Sequence, residues 1–300
     1  MAETTIKRAA FAGSWYPGTS GACQSAIRDF LSKANAGHKD AVQEAGAAGT
    51  LFGGIVPHAG WVYSGGIACR VISSLVPDTP INTILLFGAH MHPTSRAFVL
   101  AHGEVETPLG NIPVDIDLTV QLVLRLSEAG HRIQSLSPDS FPNENTLELQ
   151  FPFIRHFFPD SHIVICGVPP TAMAEQIGHA AVDVARDLGR TFRVIGSTDM
   201  THYGPNFGFE PAGSVPSAVG WVTDDNDAGA IRAMEAMDVG GILNQGLSRK
   251  NMCCSGAAAG ATAACQRAGA RKGICVAYAT SFEKSQSDSF VGYSGVVFVD

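Results

Sequence analysis

The chain has 300 residues, of which 45% are hydrophobic and 16% are charged, and its mean hydropathy is +0.13. These values allow a substantial core, and we expect a single domain over residues 1–300. The net charge of −7 and the lack of any lysine- or arginine-rich run argue against a nucleic-acid-binding protein. A small or neutral ligand suits this composition better.

The distribution of apolar residues and cysteines points to the cytoplasm. The chain has no apolar signal core near Met1 and no run of about 18 apolar residues, so we expect neither secretion nor membrane insertion. Its seven cysteines are scattered and form no CxxC pair, which favours reduced thiols and argues against a disulfide scaffold or a zinc ribbon. The sequence leaves the oligomeric state open.

The first third of the chain predicts two helices around a short buried strand. An apolar stripe that includes Ile27 and Phe30 predicts a helix over residues 20–34, and small polar residues predict a linker over 35–50. Residues 51–56 form a short apolar run that stops at Pro57, which is typical of a buried strand. A helix is predicted over residues 68–75.

Strands and helices continue to alternate in the rest of the chain. Strands are predicted over residues 83–87, 98–100, 163–168, 191–197, 274–281 and 290–299, with a hairpin over 107–114. Helices are predicted over residues 115–129, 171–188, 226–237 and 257–268, and an irregular loop over 205–222. This alternation predicts an α/β fold with a mostly parallel or mixed central sheet and helices on both faces.

Three histidines follow predicted strands. His58, His90 and His202 come shortly after the strands that begin at residues 51, 83 and 191. Because ligands bind at the carboxyl ends of strands in open α/β sheets, we expect one shared site there. Imidazole nitrogen suits iron, copper or zinc, and His58 and His90 are the leading candidate ligands. The alternative is that each histidine only caps its strand through hydrogen bonds.

Two acidic residues are candidates for supporting roles. Asp199 precedes His202 by three residues, a spacing that suits a histidine oriented by a carboxylate and acting as a general base, or an aspartate that caps a helix. Glu148 lies before the apolar residues that end at Phe153 and is a candidate acceptor for a ligand histidine, or an ordinary ion-pair residue.

An adjacent cysteine pair precedes the predicted helix at 257–268. Near a helix amino terminus the pKa of a thiol falls, which favours the thiolate that binds metals. Because neighbouring residues rarely direct both side chains to one ion, we expect one of Cys253 and Cys254 to be a ligand. Both are otherwise small residues suited to a tightly packed helix.

Several motifs lie in order along the chain: Ala12-Gly13-Ser14-Trp15-Tyr16, Pro57-His58-Ala59-Gly60, Gly88-Ala89-His90, Leu147-Glu148-Leu149-Gln150-Phe151-Pro152, Ser197-Thr198-Asp199-Met200-Thr201-His202 and the turn at Cys254. They resemble the motifs of the MEMO family, whose bacterial and archaeal members are called AmmeMemoRadiSam system protein B. The chain differs from the usual family pattern at Met91, Asn145 and Ser255.

The resemblance implies a fold similar to that of the class III extradiol ring-cleaving dioxygenases, which hold ferrous iron with two histidines and a glutamate. In MEMO proteins a cysteine replaces the glutamate. Carried onto this sequence, His58, His90 and Cys254 match the metal ligands, and His202 matches the acid/base histidine. Asp199 and Glu148 match its polar surroundings, so the catalytic candidates are His202, Asp199 and Glu148. The implied metal is Fe(II), with copper next and zinc after it.

Three functions are compatible with this pattern. The first is a non-haem metal-dependent oxidoreductase, dioxygenase-like, that acts with O2 on a small aromatic or phenolic substrate. The second is a protein that binds a metal or peptide in the same cleft without turnover, as proposed for animal MEMO. The third is a zinc hydrolase that uses His202 as its base.

Overall fold

The structure is a computed structural model that describes residues 5–35 and 49–300. Most of the predicted linker, with His38, lies outside the described residues. The strands are β1 (Ile6–Lys7), β2 (Leu51–Val56), β3 (Thr83–Gly88), β4 (Phe98–Leu100), β5 (Glu104–Val105), β6 (Ile112–Pro113), β7 (Gln134–Leu136), β8 (His162–Gly167), β9 (Phe192–Ser197), β10 (His202–Tyr203), β11 (Lys272–Thr280) and β12 (Phe290–Val299).

The described helices alternate with these strands. They are α1 (Ser20–Asn35), α2 (Trp61–Ser74), α3 (Ile116–Glu128), α4 (Asn145–Glu148), α5 (Phe151–Phe157), α6 (Met173–Asp187), α7 (Ala218–Trp221), α8 (Ala228–Glu235), α9 (Val239–Asn244) and α10 (Ser255–Ala268). Short 3₁₀ turns lie at Pro205–Phe207 and Ser281–Glu283, and π-helical turns at Val222–Asp227 and Gln245–Arg249.

A nine-stranded mixed sheet forms the centre of the molecule. Its middle strands run in the order β2, β9, β3, β8 and are all parallel. Antiparallel β12 flanks β2, and antiparallel β4 flanks β8. The predicted mixed α/β architecture is therefore confirmed, and the carboxyl ends of β2, β9 and β3 meet at one edge of the sheet.

Helices cover both faces of this sheet because alternate residues of each middle strand face opposite cores. In β3, Leu85 and Phe87 pack in one cluster with residues of α6 and α10, whereas Ile84 and Leu86 pack in the other with residues of α2. Small residues bring α6 and α10 together: a Cβ at Gly178 would lie 2.3 Å from the carbonyl oxygen of Gly260. A larger side chain there would force these two helices apart.

The main differences from the predicted elements lie beside the site. Helix α2 begins at Trp61, seven residues before the predicted start, because Gly65 packs closely against Phe30 instead of forming a turn. Tertiary packing thus outweighs the low helix propensity of glycine. The predicted loop over 205–222 contains a 3₁₀ turn and α7. Within the described ranges, every helix is too short or too polar to cross a bilayer.

Candidate metal centre

The carboxyl edge of the middle strands brings the predicted histidines together. His58 follows β2 and His90 follows β3, and their ring centroids lie 5.1 Å apart with the ring planes at 82°. His202 opens β10 and lines the same cavity as both. The expected convergence of these three residues is present in the structure.

The backbone before His90 is held in an unusual conformation. Ala89 has φ of +77°, in the left-handed region that favours glycine. The amide of Ala89 donates to Thr146 Oγ1 at 2.7 Å, and that of His90 donates to Glu144 Oε2 at 3.1 Å. Such strain persists only where surrounding contacts fix it, and here the start of α4 fixes the direction of the His90 ring.

His58 is held from three sides and is only 1% exposed. Its amide donates to Asp199 Oδ1 at 2.7 Å, and its ring Nδ1 lies 3.0 Å from Ser197 Oγ. These contacts direct Nε2 toward Cys253 Sγ, 3.2 Å away. The ring is thus fixed through Nδ1, as in histidines that ligate metals, and its Nε2 is within hydrogen-bond distance of the sulfur.

The histidines and the cysteine pair form one cluster. One potential donor atom from each of His58, His90, Cys253 and Cys254 lies within 4.8 Å of the other three. The resemblance had matched Cys254 alone to the ligand cysteine. In the structure Cys253 Sγ lies 3.2 Å from His58 Nε2 and 3.7 Å from Cys254 Sγ, and both sulfurs belong to the cluster.

The thiol and imidazole groups of the cluster shift one another's pKa values. Burial opposes ionisation of Cys253, but hydrogen bonding from Cys254 and the positive charge of His58 lower its pKa well below the usual value. Burial and the neighbouring Cys253 raise the pKa of Cys254. Burial alone would lower the pKa of His90, but its contacts with Cys253 and Glu144 raise it to about 10. A thiolate beside two imidazoles is a donor set that suits iron, copper or zinc, so the residues fit such an ion.

The glutamate that contacts a candidate ligand is Glu144, not Glu148. Glu144 Oε1 lies 3.3 Å from His90 Nδ1. Glu148 instead accepts hydrogen bonds from the amides of Ala10 and Phe11 and from the hydroxyl of Tyr16, at 2.7–3.0 Å. Its carboxylate therefore fastens the segment before α1 against the cavity. Sequence spacing could not distinguish the two glutamates, because both lie near α4.

Asp199 and His202 do not form the predicted pair. The ring Nδ1 of His202 lies 3.1 Å from the carbonyl oxygen of Met200, whereas the carboxylate of Asp199 contacts His58. Since a carbonyl can only accept, Nδ1 of His202 carries the proton, and Nε2 keeps a lone pair when the ring is neutral. Burial raises the pKa of Asp199, against the opposing effect of His58.

A cavity of about 840 Å³ opens over the cluster, a size typical of small-molecule sites. Its inner wall contains the buried rings of Tyr16 and Trp61; Trp61 stacks on Phe153 with ring centroids 4.1 Å apart. Its rim carries three partly exposed aromatic rings: Trp15, Tyr63 and Phe207. No lysine or arginine is present among the residues that line the described cavity.

Comparison with known proteins identifies the family of this chain. The profile of the family described as Memo-like protein matches residues 7–297. The chain belongs to this family. It is 30% identical to a MEMO1 family protein of Thermococcus onnurineus, over 98% of this chain and 99% of the relative. It is also 30% identical to a MEMO1 family protein of Pyrococcus furiosus, over 97% and 98% of the two chains.

A third relative is a MEMO1 family protein of Pyrococcus abyssi, 31% identical over 85% of this chain and 89% of the relative. The range matched to the Memo-like family contains every residue of the cluster, from His58 to Cys254, and His202 as well. Family membership predicted from the motifs is thereby confirmed.

Proposed function

We propose that this Memo-like protein is a metal-dependent oxidoreductase that uses O2 on a small aromatic or phenolic substrate, in a fold of the class III extradiol dioxygenase type. The observation that carries the proposal is the convergence of His58, His90 and the adjacent Cys253 and Cys254 beside an aromatic cavity that both histidines and His202 line. Iron or copper would be held by both histidines and by Cys254, the cysteine that the resemblance indicates, or its neighbour Cys253, and would supply the redox chemistry with O2 when bound.

In this proposal His202 moves the proton. Its Nδ1 proton is engaged by the carbonyl oxygen of Met200, so Nε2 is the atom free to accept a proton from a substrate hydroxyl. The edge of the ring contacts Phe207, with centroids 4.9 Å apart, which limits its rotation. We assign His202 as general base toward a phenolic O–H, and as general acid when it returns that proton.

Asp199 positions His58 and so acts indirectly. Its Oδ1 accepts the amide proton of His58 at 2.7 Å, and its Oδ2 lies 3.8 Å from His58 Nε2. The bond to the amide fixes the backbone that carries the His58 ring. Glu144 likewise accepts the amide proton of His90, and it also lies beside Nδ1 of that ring, where an outer carboxylate fixes the ring and raises its basicity.

The cavity wall favours a planar apolar substrate. Tyr16, Trp61 and the rim rings present flat apolar surfaces, and aromatic pairs of this kind contribute about 0.5–1.5 kcal/mol each beyond burial. Among the described residues, the lining offers no lysine or arginine to pair with an anionic group on the ligand. Catechol and indole are therefore suitable first probes, and their carboxylated analogues are matched controls.

We also propose a cytoplasmic location. All seven cysteines are free in the structure, and several, including Cys23 and Cys69, are buried as thiols. A reducing compartment keeps such thiols intact.

The proposal is tested by oxygen uptake with protein reconstituted anaerobically with Fe(II), copper or zinc. With catechol or indole, we expect uptake by the iron or copper form, and a fall of about 100- to 10,000-fold in His202→Gln at unchanged metal affinity. Metal binding without oxygen uptake on either probe would overturn the oxidoreductase and favour a non-catalytic binding protein. Hydrolysis of an ester probe by the zinc form without oxygen would favour the hydrolase instead.

A further inference from the structure

A buried carboxylate lies beside the segment that carries His202. Asp227, the residue before α8, is fully buried, and so is Thr201, the residue before His202. The amide of Thr201 donates to Asp227 Oδ1 at 3.0 Å, and the hydroxyl of Thr201 donates to the same oxygen. Because a buried carboxylate is costly unless it is hydrogen-bonded, its partners indicate what it is there to hold.

The sheet does not supply an acceptor for the amide of Thr201. The amide of Met200 donates to the carbonyl oxygen of Gly292 at 2.9 Å, and the amide of Gly292 donates to the carbonyl oxygen of Thr201 at 3.0 Å. Met200 and Thr201 thus share a single residue of β12, and regular pairing begins only at His202 and Val291. The carboxylate of Asp227 takes the place of a strand carbonyl for the Thr201 amide.

The carboxylate is itself held in a fixed position. Its Oδ2 accepts a hydrogen bond from the hydroxyl of Tyr278 at 2.7 Å. A Cβ at Gly292 would lie 2.0 Å from the same oxygen, so only glycine leaves room for the carboxylate there. Asn226, the neighbour of Asp227 in the π-helical turn, donates to Thr201 Oγ1 at 2.9 Å. Two consecutive side chains of that turn therefore reach Thr201.

One peptide group connects Asp227 to the ring of His202. The carbonyl of Met200 and the amide of Thr201 belong to the same planar unit, so fixing the direction of one fixes the other. Asp227 holds the N–H of this peptide, and its carbonyl oxygen lies 3.1 Å from His202 Nδ1. The carboxylate, the peptide and the imidazole therefore form one continuous hydrogen-bonded chain.

We propose that Asp227 is the residue that positions His202, acting through the Met200–Thr201 peptide to keep the ring proton on Nδ1 and Nε2 free to exchange one. The inference rests on the role of His202 in the proposed function and adds the carboxylate behind it. Asp227 exchanges no proton in this scheme. It takes the part that the sequence suggested for Asp199, which contacts His58 instead.

Two physical effects follow from the chain of hydrogen bonds. The tautomer of a neutral histidine is set by the bond that its other ring nitrogen makes, so a fixed Met200 carbonyl selects the Nδ1-protonated ring. A hydrogen bond to the N–H side of a peptide also polarises its carbonyl and strengthens the bond that the carbonyl accepts. Asp227 thus favours the tautomer in which Nε2 can act as a base.

The competing explanation is that Asp227 only stabilises the fold. The chain offers a matched control, because Asp115 is also a buried carboxylate that accepts a threonine hydroxyl and a backbone amide. It lies at the amino edge of the sheet, far from His202. If Asp227 is only structural, then Asp227→Ala and Asp115→Ala will affect stability and leave His202 as it is.

The decisive measurement is ¹⁵N NMR of the imidazole nitrogens of metal-free, full-length protein, at a pH at which the His202 ring is neutral. The His202 signals are those absent from His202→Gln. We expect the proton on Nδ1 in wild type and in Asp115→Ala, and a shift toward the Nε2-protonated ring in Asp227→Ala. Asp227→Asn should keep the wild-type tautomer, because its side-chain carbonyl can still accept from the Thr201 amide. Gly292→Ala displaces the carboxylate and gives the same test should Asp227→Ala fail to fold.

Oxygen uptake by the metal-loaded protein is the second readout. We expect kcat to fall about 10- to 100-fold in Asp227→Ala, with KM and metal affinity unchanged, and to recover in Asp227→Asn.

The outcomes separate this inference from the function on which it rests. An Nε2-protonated ring in wild type, or the wild-type tautomer in both Asp227→Ala and Gly292→Ala, overturns the role of Asp227 and leaves that of His202 standing. A tautomer shift in these variants, in a protein whose wild type consumes no oxygen, supports the positioning by Asp227 and overturns the oxidoreductase alone.

Discussion

The two edges of the central parallel strands carry polar clusters of different character. At the amino edge, Asp115 accepts hydrogen bonds from Thr83 Oγ1 at 2.7 Å and Arg190 Nε at 2.9 Å, and from the amide of Leu118. At the carboxyl edge, imidazole nitrogens and thiol sulfurs face one another within 4.8 Å. The first cluster contains its own fixed cation, the guanidinium of Arg190. The second has positive charge only from protons on its histidines, which a metal ion can replace.

The comparison teaches that a polar cluster at a strand end is not by itself a ligand site. A set of groups whose donors and acceptors satisfy one another, as around Asp115, stabilises the fold. A set of lone-pair donors that lie close together, as around His58, could hold a cation. The predictions below test that distinction.

The largest expected effect is on metal affinity, and it distinguishes a histidine at the carboxyl edge from one at the amino edge. His58→Ala removes one of the converging donors, whereas His162→Ala removes an exposed ring at the amino end of β8. Zinc sites in small proteins contribute about 10–16 kcal/mol over four ligands, so loss of one should weaken metal affinity by about 100- to 1,000-fold. Chelator competition should show this fall in His58→Ala and none in His162→Ala. Equal affinities in the two variants would contradict the assignment.

Buried carboxylates at the two edges have opposite pKa shifts, which gives the second prediction. At the carboxyl edge, burial raises the pKa of Asp227 to about 6, and hydrogen bonds from Thr201 and Tyr278 only partly oppose it. The folded state thus binds this proton more tightly than the unfolded chain. The neutral carboxyl group of Asp227 therefore stabilises the folded state below about pH 4. This stabilisation is lost as the pH rises through about 6, and the total loss is about 3 kcal/mol.

Denaturant unfolding between pH 4 and pH 8 measures this change in the free energy of unfolding. We expect the free energy of unfolding to decline less with rising pH in Asp227→Asn, because the variant lacks the titrating carboxyl group. The difference in this free energy between variant and wild type should therefore change with pH. A difference between variant and wild type that stays constant over this range would show that the carboxyl group titrates alike in the folded and unfolded states.

The third prediction compares the two glutamates near α4. Glu144→Gln removes the carboxylate beside His90 Nδ1, and outer partners of ligand histidines typically affect metal affinity by about 10- to 100-fold. Glu148→Gln weakens the anchoring of the segment at Ala10 and Phe11 and should leave metal affinity unchanged while lowering the melting temperature. The reverse pattern would restore Glu148 as the outer acceptor.

The smallest expected effect concerns stability at the amino edge. Burial disfavours the carboxylate of Asp115, but Arg190 and the hydrogen bonds from Thr83 and Leu118 lower its pKa below the usual value. The carboxylate of Asp115 therefore stabilises the folded state above about pH 4, and this stabilisation is lost as the pH falls through the lowered pKa. Asp115→Asn should cost about 1.5 kcal/mol at pH 7, and less at pH 3, in urea unfolding. Unchanged metal content serves as the control, and a larger cost at pH 3 than at pH 7 would contradict the account.

Local patterns in the sequence were sufficient to predict much of the fold. Short, mostly apolar runs located β2 and β12 to the residue and β9 to within one residue. The histidine after each central strand located the site, because parallel strands place their carboxyl ends at one edge. The start of α2 was predicted too late because Gly65 and Gly66 favour a turn. In the structure Phe30 packs against them within the helix.

The finer assignments at the site depended on contacts between residues far apart in sequence. Glu144 rather than Glu148 reaches His90 because α4 begins directly beside the strained Ala89. The second cysteine joins the cluster because a non-extended backbone at Cys254 turns its sulfur toward Cys253. Neither property follows from residue type or spacing.

The most direct test of the central claim is elemental analysis of anaerobically purified wild-type protein beside His58→Ala. The account predicts about one equivalent of a transition metal per chain in wild type, retained on dialysis, and almost none in the variant. Wild-type protein that is free of metal and cannot be reconstituted with iron, copper or zinc would contradict it.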